Sequence, residues 1–210
     1  MVKLLELFSG THSVGKVCEE KGWEVVSLDL DNADINIDIL KWDYKKDYKE
    51  GDFDIIWASP PCSTFSNCRR SNIGRKIKAF DKIVTAEMLD NDMIENGLPI
   101  VRRTEEIIKY FNPPLWIIEN PSTGKMKNYL THLPHYDVDY CMYTDWGYKK
   151  PTRIWTNKEG FNAKKCNRQC GNMQGNKHKT TLSDSSRNIN MRYRVPPLLI
   201  KDLLEVAGEK

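Results

Sequence analysis

The sequence predicts a doubly wound α/β fold, with a mostly parallel central sheet and a short irregular insert. Short apolar runs alternate with segments of helical spacing. Runs of this kind suit strands covered on both faces. Several of them also stop abruptly at glycine, proline, serine or acidic residues, at the strand ends where open α/β sheets gather their ligands.

Residues 4–8 read as a buried strand running into Ser9-Gly10. Val14, Val17 and Cys18 then share a helical face, with Gly22 as a stop. A second strand over 25–28 ends at Asp29 and Asp31, and a third over 53–58 is broken by Ser59-Pro60-Pro61. Ile100, Thr104, Ile107, Ile108 and Phe111 recur at helical spacing until Asn112-Pro113-Pro114 ends that helix. A fourth strand over 115–118 leads into Glu119-Asn120-Pro121. Residues 136–143 alternate weakly, as an antiparallel strand would. Residues 157–190 are polar and basic and read as an extended loop; Leu198, Leu199, Leu203, Leu204 and Ala207 predict a closing helix. The expected division is a catalytic domain over 1–157, a basic loop over 158–190, and a segment over 191–210 that packs back on the first.

At 210 residues, 40% hydrophobic and 29% charged, the chain has the size and composition of one soluble globular domain. No apolar run approaches the roughly 20 residues of a membrane span. Glu6 and Gly10 interrupt the N-terminus before a signal-peptide core forms. An intracellular location follows as an expectation, cytoplasmic or nucleoid-associated, for a protein encoded by a cell, a virus or a phage. Six irregularly spaced cysteines in such a chain are expected to be reduced. The net charge of +3 is small but uneven. Arg69, Arg70, Arg75, Lys76 and Lys78 follow one another with no acid between residues 67 and 78, and eight basic residues between 161 and 194 face only Asp184. Both stretches suit phosphates; both also suit solvated loops.

The sharpest chemical signal is Cys62, delivered by a buried strand onto a turn that two prolines stiffen. Pro60-Pro61-Cys62-Ser63-Thr64-Phe65-Ser66 resembles the Pro-Cys motif of the cytosine-5 DNA methyltransferase family. Further segments are similar to that family in the same order: Leu7-Phe8-Ser9-Gly10, Asp29, Asp38-Ile39, Glu119-Asn120-Pro121, and Arg192-Tyr193-Arg194-Val195-Pro196-Pro197. The resemblance implies a Rossmann-like methyltransferase fold and S-adenosyl-L-methionine as cofactor, with S-adenosyl-L-homocysteine as product. The cofactor would be held by Phe8, Ser9, Gly10, Thr11, His12, Ser13, Asp29, Asp38, Ile39 and Pro60. It implies Cys62 as the nucleophile on cytosine C6 and Glu119 as the acid near N3. Arg153 is the third catalytic candidate. DNA is the implied partner, with RNA as an alternative, and a base inside a duplex would have to be flipped out. Ser66, Arg69, Arg70, Arg75 and Lys76 follow the catalytic turn and are candidate contacts to nucleic acid.

The chain also departs from the family pattern. His12 stands where a second glycine is usual. An Arg-x-Arg element aligned on Gly147 falls on Thr152 and Ile154, leaving Arg153, or Lys150, as substitutes; strand alternation aims Arg153 opposite to its neighbours. Only 158–190 stands in place of a target-recognition domain, which predicts weak or short sequence specificity or a specificity partner. Monomer is the default expectation. Cys166, Cys170 and His178 have spacing that invites zinc, but a fourth ligand is not evident and His135 and Cys141 are remote, so the primary expectation is no metal. The competing class is a catalytically degenerate module that binds nucleic acid or cofactor, favoured by His12 and the missing arginines and opposed by Cys62 with Glu119.

Overall fold

The computed structural model describes residues 1–182 and 190–205; Asp184 and Ala207 lie outside them. In chain order the strands among these residues are β1 (Lys3–Leu7), β2 (Glu24–Asp29), β3 (Ile35–Asn36), β4 (Ile55–Ala58), β5 (Lys76–Ile77) and β6 (Lys82–Ile83). They continue with β7 (Leu115–Pro121), β8 (His135–Asp139), β9 (Pro151–Thr156), β10 (Met173–Gln174) and β11 (Lys177–His178). The helices are α1 (Ser13–Glu20), α2 (Tyr44–Asp47), α3 (Ala86–Asp92), α4 (Leu98–Phe111), α5 (Asn190–Tyr193) and α6 (Pro197–Leu204).

Seven strands form one sheet in the order β3-β2-β1-β4-β7-β9-β8. Neighbours from β3 to β7 are parallel, and β9 runs antiparallel to both β7 and β8. The sheet is thus mostly parallel and α/β, the class the sequence predicts. The strand order reverses at β1, between β2 and β4, so the ligand crevice lies beyond the C-terminal ends of β1 and β4.

Alternation along the buried strands sends successive side chains to opposite faces. Leu5, Leu7, Ile56, Ala58, Ile118 and Trp155 meet α4 through Val101, Ile107, Ile108 and Phe111. Leu4, Ile55, Trp57, Ile117 and Ile154 meet α1 through Val14, Val17 and Cys18, and α6 through Leu199, Ile200, Leu203 and Leu204. The apolar stripes read from the sequence are these two helix-facing surfaces.

Three features lie outside the sequence reading. Residues 67–78 are not simply a loop: a 3-10 helix, Asn67–Asn72, leads into a short β5-β6 hairpin. Between this hairpin and α4 stand α3 and a single π-turn, Met93–Gly97. The tail of the expected 157–190 loop carries the β10-β11 hairpin. The weak alternation over 136–143 resolves into β8 followed by a 3-10 turn, Tyr140–Met142.

Glu6 fixes how β1 hands over to α1. Its buried carboxylate accepts hydrogen bonds from the N–H groups of Val14 (3.2 Å) and Gly15 (3.0 Å) at the start of that helix, where backbone donors lack intrahelical partners. Residue 15 must be glycine for this contact, because a Cβ there would lie 2.8 Å from Glu6 Oε2 and 3.3 Å from Val25. Burial raises the Glu6 pKa to about 7, against the lowering influence of the two N–H donors. The folded protein therefore holds this proton at pH values where the unfolded chain, near 4.5, has lost it. The resulting stability is complete below the unfolded pKa and is lost as pH rises through the folded one. Glu6→Gln is expected to flatten the fall in melting temperature between about pH 5 and 8, read by thermal denaturation across that range; a slope identical to that of the parent protein would assign the effect elsewhere.

Candidate active site

β4 ends at Ala58, and Ser59 N–H still bonds to the Leu7 carbonyl (3.2 Å), so the turn carrying Cys62 leaves the sheet beside the end of β1. Pro60 is buried and Cys62 half-buried. The turn closes through Phe65 N–H to Cys62 O (3.1 Å) and Ser66 N–H to Ser63 O (3.3 Å). Phe65 is buried beneath it, and its carbonyl accepts Lys125 N–H at 2.9 Å. The π-turn packs on the same segment: a Cβ at Gly97 would lie 2.2 Å from Thr64 Oγ1 and 3.0 Å from the Phe65 ring. The backbone of one helix is thereby pressed directly against the cysteine turn, as π-turns often are at functional sites.

The neighbouring strand end belongs to β7. Asn120, 1% exposed, donates its Nδ2–H to Pro60 O at 2.7 Å and locks this strand to the cysteine turn. Glu119 is 5% exposed, and its Oε1 accepts the Tyr140 hydroxyl at 2.8 Å. Lys150, 6% exposed, holds its Nζ 3.6 Å from Glu119 Oε1 and 4.6 Å from the centroid of the Tyr140 ring. It donates to Arg192 O at 3.1 Å. Burial pushes the Cys62 thiol pKa up; Lys150 opposes this, Glu119 reinforces it, and Arg192 opposes it again. Lys150 and Glu119 form a buried pair on the strand end that Asn120 ties to the Cys62 turn.

In the turn after β1, Phe8, Gly10 and His12 all take left-handed backbone angles, with φ of 62°, 49° and 54°. Only Gly10 does so without strain. Asp29 accepts the N–H groups of Gly10 (2.8 Å) and Leu30 (2.7 Å), so it both shapes the turn and stands at the end of β2. Asp31 is exposed. His12 leans across to the β2-β3 loop, its Nε2 2.5 Å from Asn32 O. Thr11 and Ser13 share a hydroxyl contact of 2.7 Å, and Ser13 Oγ accepts Val195 N–H at 3.2 Å. That last bond returns the 192–197 motif to the first turn. Asp38 accepts Leu40 N–H at 3.0 Å, while Ile39 is a core residue.

Ser9 supplies a test of whether the cofactor fits. Its hydroxyl is buried within the glycine turn and has no hydrogen-bond partner. Buried polar atoms are ordinarily satisfied, and an amino-acid end of S-adenosylmethionine would satisfy this one. Each Asp29 oxygen keeps a further lone pair for ribose hydroxyls. The residues fit the group.

Arg153 is not brought to the Lys150–Glu119 pair. It forms a two-pronged ion pair with Asp137 on β8, at 2.7 and 2.9 Å. Its register partner is Asn120, whereas Glu119 pairs with Ile154, so Arg153 emerges on the sheet face opposite Glu119. The buried cation is Lys150. Thr152 and Ile154, the two aligned arginine positions, are both fully buried.

The basic run divides in two. Arg69 pairs with Asp92 (2.5 Å) and reaches Thr64 O (3.4 Å), while Arg70 lies 3.7 Å from Asp90. Helix α3 thus supplies acids that the run itself lacks, and Arg69 braces the cysteine turn. Arg75 and Lys76 are exposed on the β5-β6 hairpin, Lys76 pairing with Asp81 at 3.0 Å. Ser66 caps the 3-10 helix by accepting Cys68 N–H at 3.3 Å. Tyr140 and Glu6 escaped the sequence reading; only the charge of Glu6 within an apolar run marked it beforehand. Cys166, Cys170 and His178 converge with Cys141 at a second locus. No helix among the described residues is long and apolar enough to cross a membrane.

No family model matches the chain. The structure is similar to two solved structures at low identity: Spodoptera frugiperda DNMT2 (15% identical, TM-score 0.45, covering 80% of this chain and 54% of that one), and Entamoeba histolytica methyltransferase EhMeth (12%, TM-score 0.44, 86% and 57%). The chain spans about half the length of these two proteins. In sequence it is 46% identical over 220 residues to the "Probable DNA (cytosine-5)-methyltransferase" of Frog virus 3 (isolate Goorha), covering 98% of this chain and 100% of that protein. With a relative so similar along nearly its whole length, and with the motifs gathered on one rim of a mostly parallel sheet, the chain belongs to the DNA (cytosine-5)-methyltransferase family.

Proposed function

We propose that the protein methylates carbon 5 of cytosine in DNA through a transient bond between Cys62 and the base. The observation that carries this reading is the Asn120–Pro60 hydrogen bond, which ties the turn bearing Cys62 to the strand end bearing Glu119 and its partner Lys150 in one polar cluster. Such a cluster suits a nucleophile beside a proton donor, and a module that only bound nucleic acid would have no use for it.

Cys62 Sγ, as thiolate, bonds to C6 of the ring. The displaced π electrons move towards N3, which takes a proton from Glu119, and C5 becomes electron-rich. When bound, S-adenosyl-L-methionine supplies a sulfonium methyl for C5 to take up. Loss of the C5 proton to water or hydroxide, departure of Cys62 Sγ as thiolate and return of the N3 proton to Glu119 then restore the ring. Tyr140 orients Glu119 through its 2.8 Å hydrogen bond. Lys150 favours the thiolate against the burial that disfavours it. Ser9, Gly10 and Asp29 hold the cofactor, and the return of Val195 to Ser13 closes that side of the crevice.

The target base must leave its stack to reach Cys62. The exposed Arg75 and Lys76 are suited to the flanking phosphates. Base-edge reading falls to the short segment around β10-β11, beside a groove of about 580 Å³ lined by Lys149, Arg168, Asn176 and Lys177. So small a reader favours a short target.

Incubation with labelled S-adenosylmethionine and cytosine-containing DNA or RNA is expected to place label on cytosine of the DNA. Cys62→Ala is expected to lower transfer by about 10³-fold or more; label on cytosine at the parent rate with this variant would overturn the mechanism, and label on RNA alone would overturn the substrate. Because burial holds the Cys62 thiol above its usual pKa, its alkylation by iodoacetamide should quicken as pH rises. Lys150→Gln should push that limb to still higher pH and slow alkylation near pH 8 by about tenfold, the effect of roughly one pKa unit. An unshifted profile would remove Lys150 from the site.

A further inference from the structure

Three cysteines and one histidine, drawn from segments that the sequence keeps apart, meet at one point. Cys141 sits in the 3-10 turn after β8, Cys166 and Cys170 on the irregular arm, and His178 on β11. All four potential ligand atoms lie within 4.8 Å of one another. We propose that Cys141, Cys166, Cys170 and His178 form a structural zinc site that staples the β10-β11 hairpin and its arm to the catalytic sheet.

The three edges among Cys166, Cys170 and His178 are close to those of a tetrahedron. With Zn–S bonds of about 2.3 Å and a Zn–N bond of about 2.0 Å, its edges come to about 3.8 Å between sulfurs and about 3.5 Å between sulfur and nitrogen. Cys166 and Cys170 Sγ are 3.5 Å apart, and His178 Nε2 lies 3.6 Å from the first and 3.4 Å from the second. A disulfide would bring two sulfurs to about 2.05 Å, far closer than Cys166 and Cys170 stand, and all three cysteines are free thiols. Three thiols and an imidazole nitrogen are soft and borderline donors that prefer zinc to calcium or magnesium. All four positions are filled by protein, which marks a structural rather than a catalytic ion.

The surroundings hold the ligands in place. Arg168, at φ 71°, turns its N–H towards Cys166 Sγ at 3.3 Å. Cys166 N–H is tied to the buried Asp139 at 2.8 Å. Asn172, 2% exposed, bridges the carbonyls of Cys141 (2.9 Å) and Thr144 (2.7 Å) and accepts Gly147 N–H at 2.9 Å. Such outer contacts orient metal ligands. The arm needs the staple: residues 162–170 form neither helix nor strand, and among the described residues of the arm Phe161 is the buried apolar anchor, with Ala163 partly buried beside it. Cys141 directly follows Tyr140, the hydrogen-bond donor to Glu119, so the ion would also brace the rear of the active site.

The untagged full chain, expressed with zinc in the medium and passed over chelating resin, is expected to carry about one zinc per chain by plasma mass spectrometry. Cobalt exchanged into it should give thiolate-to-cobalt absorption and the visible bands of a tetrahedral site. Cys170→Ser should lose most of the metal, whereas Cys68→Ser, an exposed cysteine elsewhere, should keep it. Folded parent protein with less than about 0.1 zinc per chain, a Cys166–Cys170 disulfide, or a cobalt spectrum without thiolate bands would overturn the site. The parent stoichiometry and cobalt spectrum decide the matter even if the serine variant fails to fold.

Discussion

A single buried hydrogen bond, from Asn120 to the carbonyl of Pro60, joins the two segments that carry Cys62 and Glu119. It couples β7, which presents Glu119, to the turn after β4, which presents Cys62. Both strands are parallel neighbours in the sheet, so their ends already lie side by side; the hydrogen bond fixes the last part of that distance. The prolines on one side and the core residues Phe65 and Ile118 on the other leave little freedom around it. A reaction that needs a sulfur and a carboxyl on one ring depends on such a constraint.

Lys150 imposes the second constraint. A buried cation is costly unless it is paired and hydrogen-bonded. Here it has Glu119, the face of Tyr140 and the carbonyl of Arg192. Because one of those partners lies at the start of the 192–197 motif, the C-terminal segment contributes to the electrostatics of Cys62 as well as to the packing against α1. The proposed active site thus draws on both ends of the chain, with α1 and α6 sharing one apolar face.

Much of this was legible in the sequence because buried parallel strands are short, apolar and abruptly ended. Those ends also singled out Cys62 and Glu119 as candidates, and the parallel pairing of β4 with β7 sets their segments side by side. What could not be read depended on partners distant along the chain. Arg69 and Arg70 looked like free cations until α3 placed Asp92 and Asp90 against them. The choice between Arg153 and Lys150 turned on the face of β9 that Arg153 leaves, and on Asp137 in β8, which no local pattern reveals. The fourth member of the Cys/His cluster, Cys141, lies 25 residues before Cys166 and is brought there by the fold of β8 and its turn. The π-turn over Met93–Gly97 left no periodic signature, yet it presses on the cysteine turn.

The central claim, that the Cys62 sulfur bonds to the target base, is tested most directly with an oligonucleotide carrying 5-fluorocytosine, whose C5 bears a fluorine that cannot leave as the proton does. With S-adenosylmethionine present, the parent protein should form a denaturation-resistant complex whose peptide map places the nucleotide on Cys62. A complex mapped to another residue, or formed equally well by Cys62→Ala, would contradict the account.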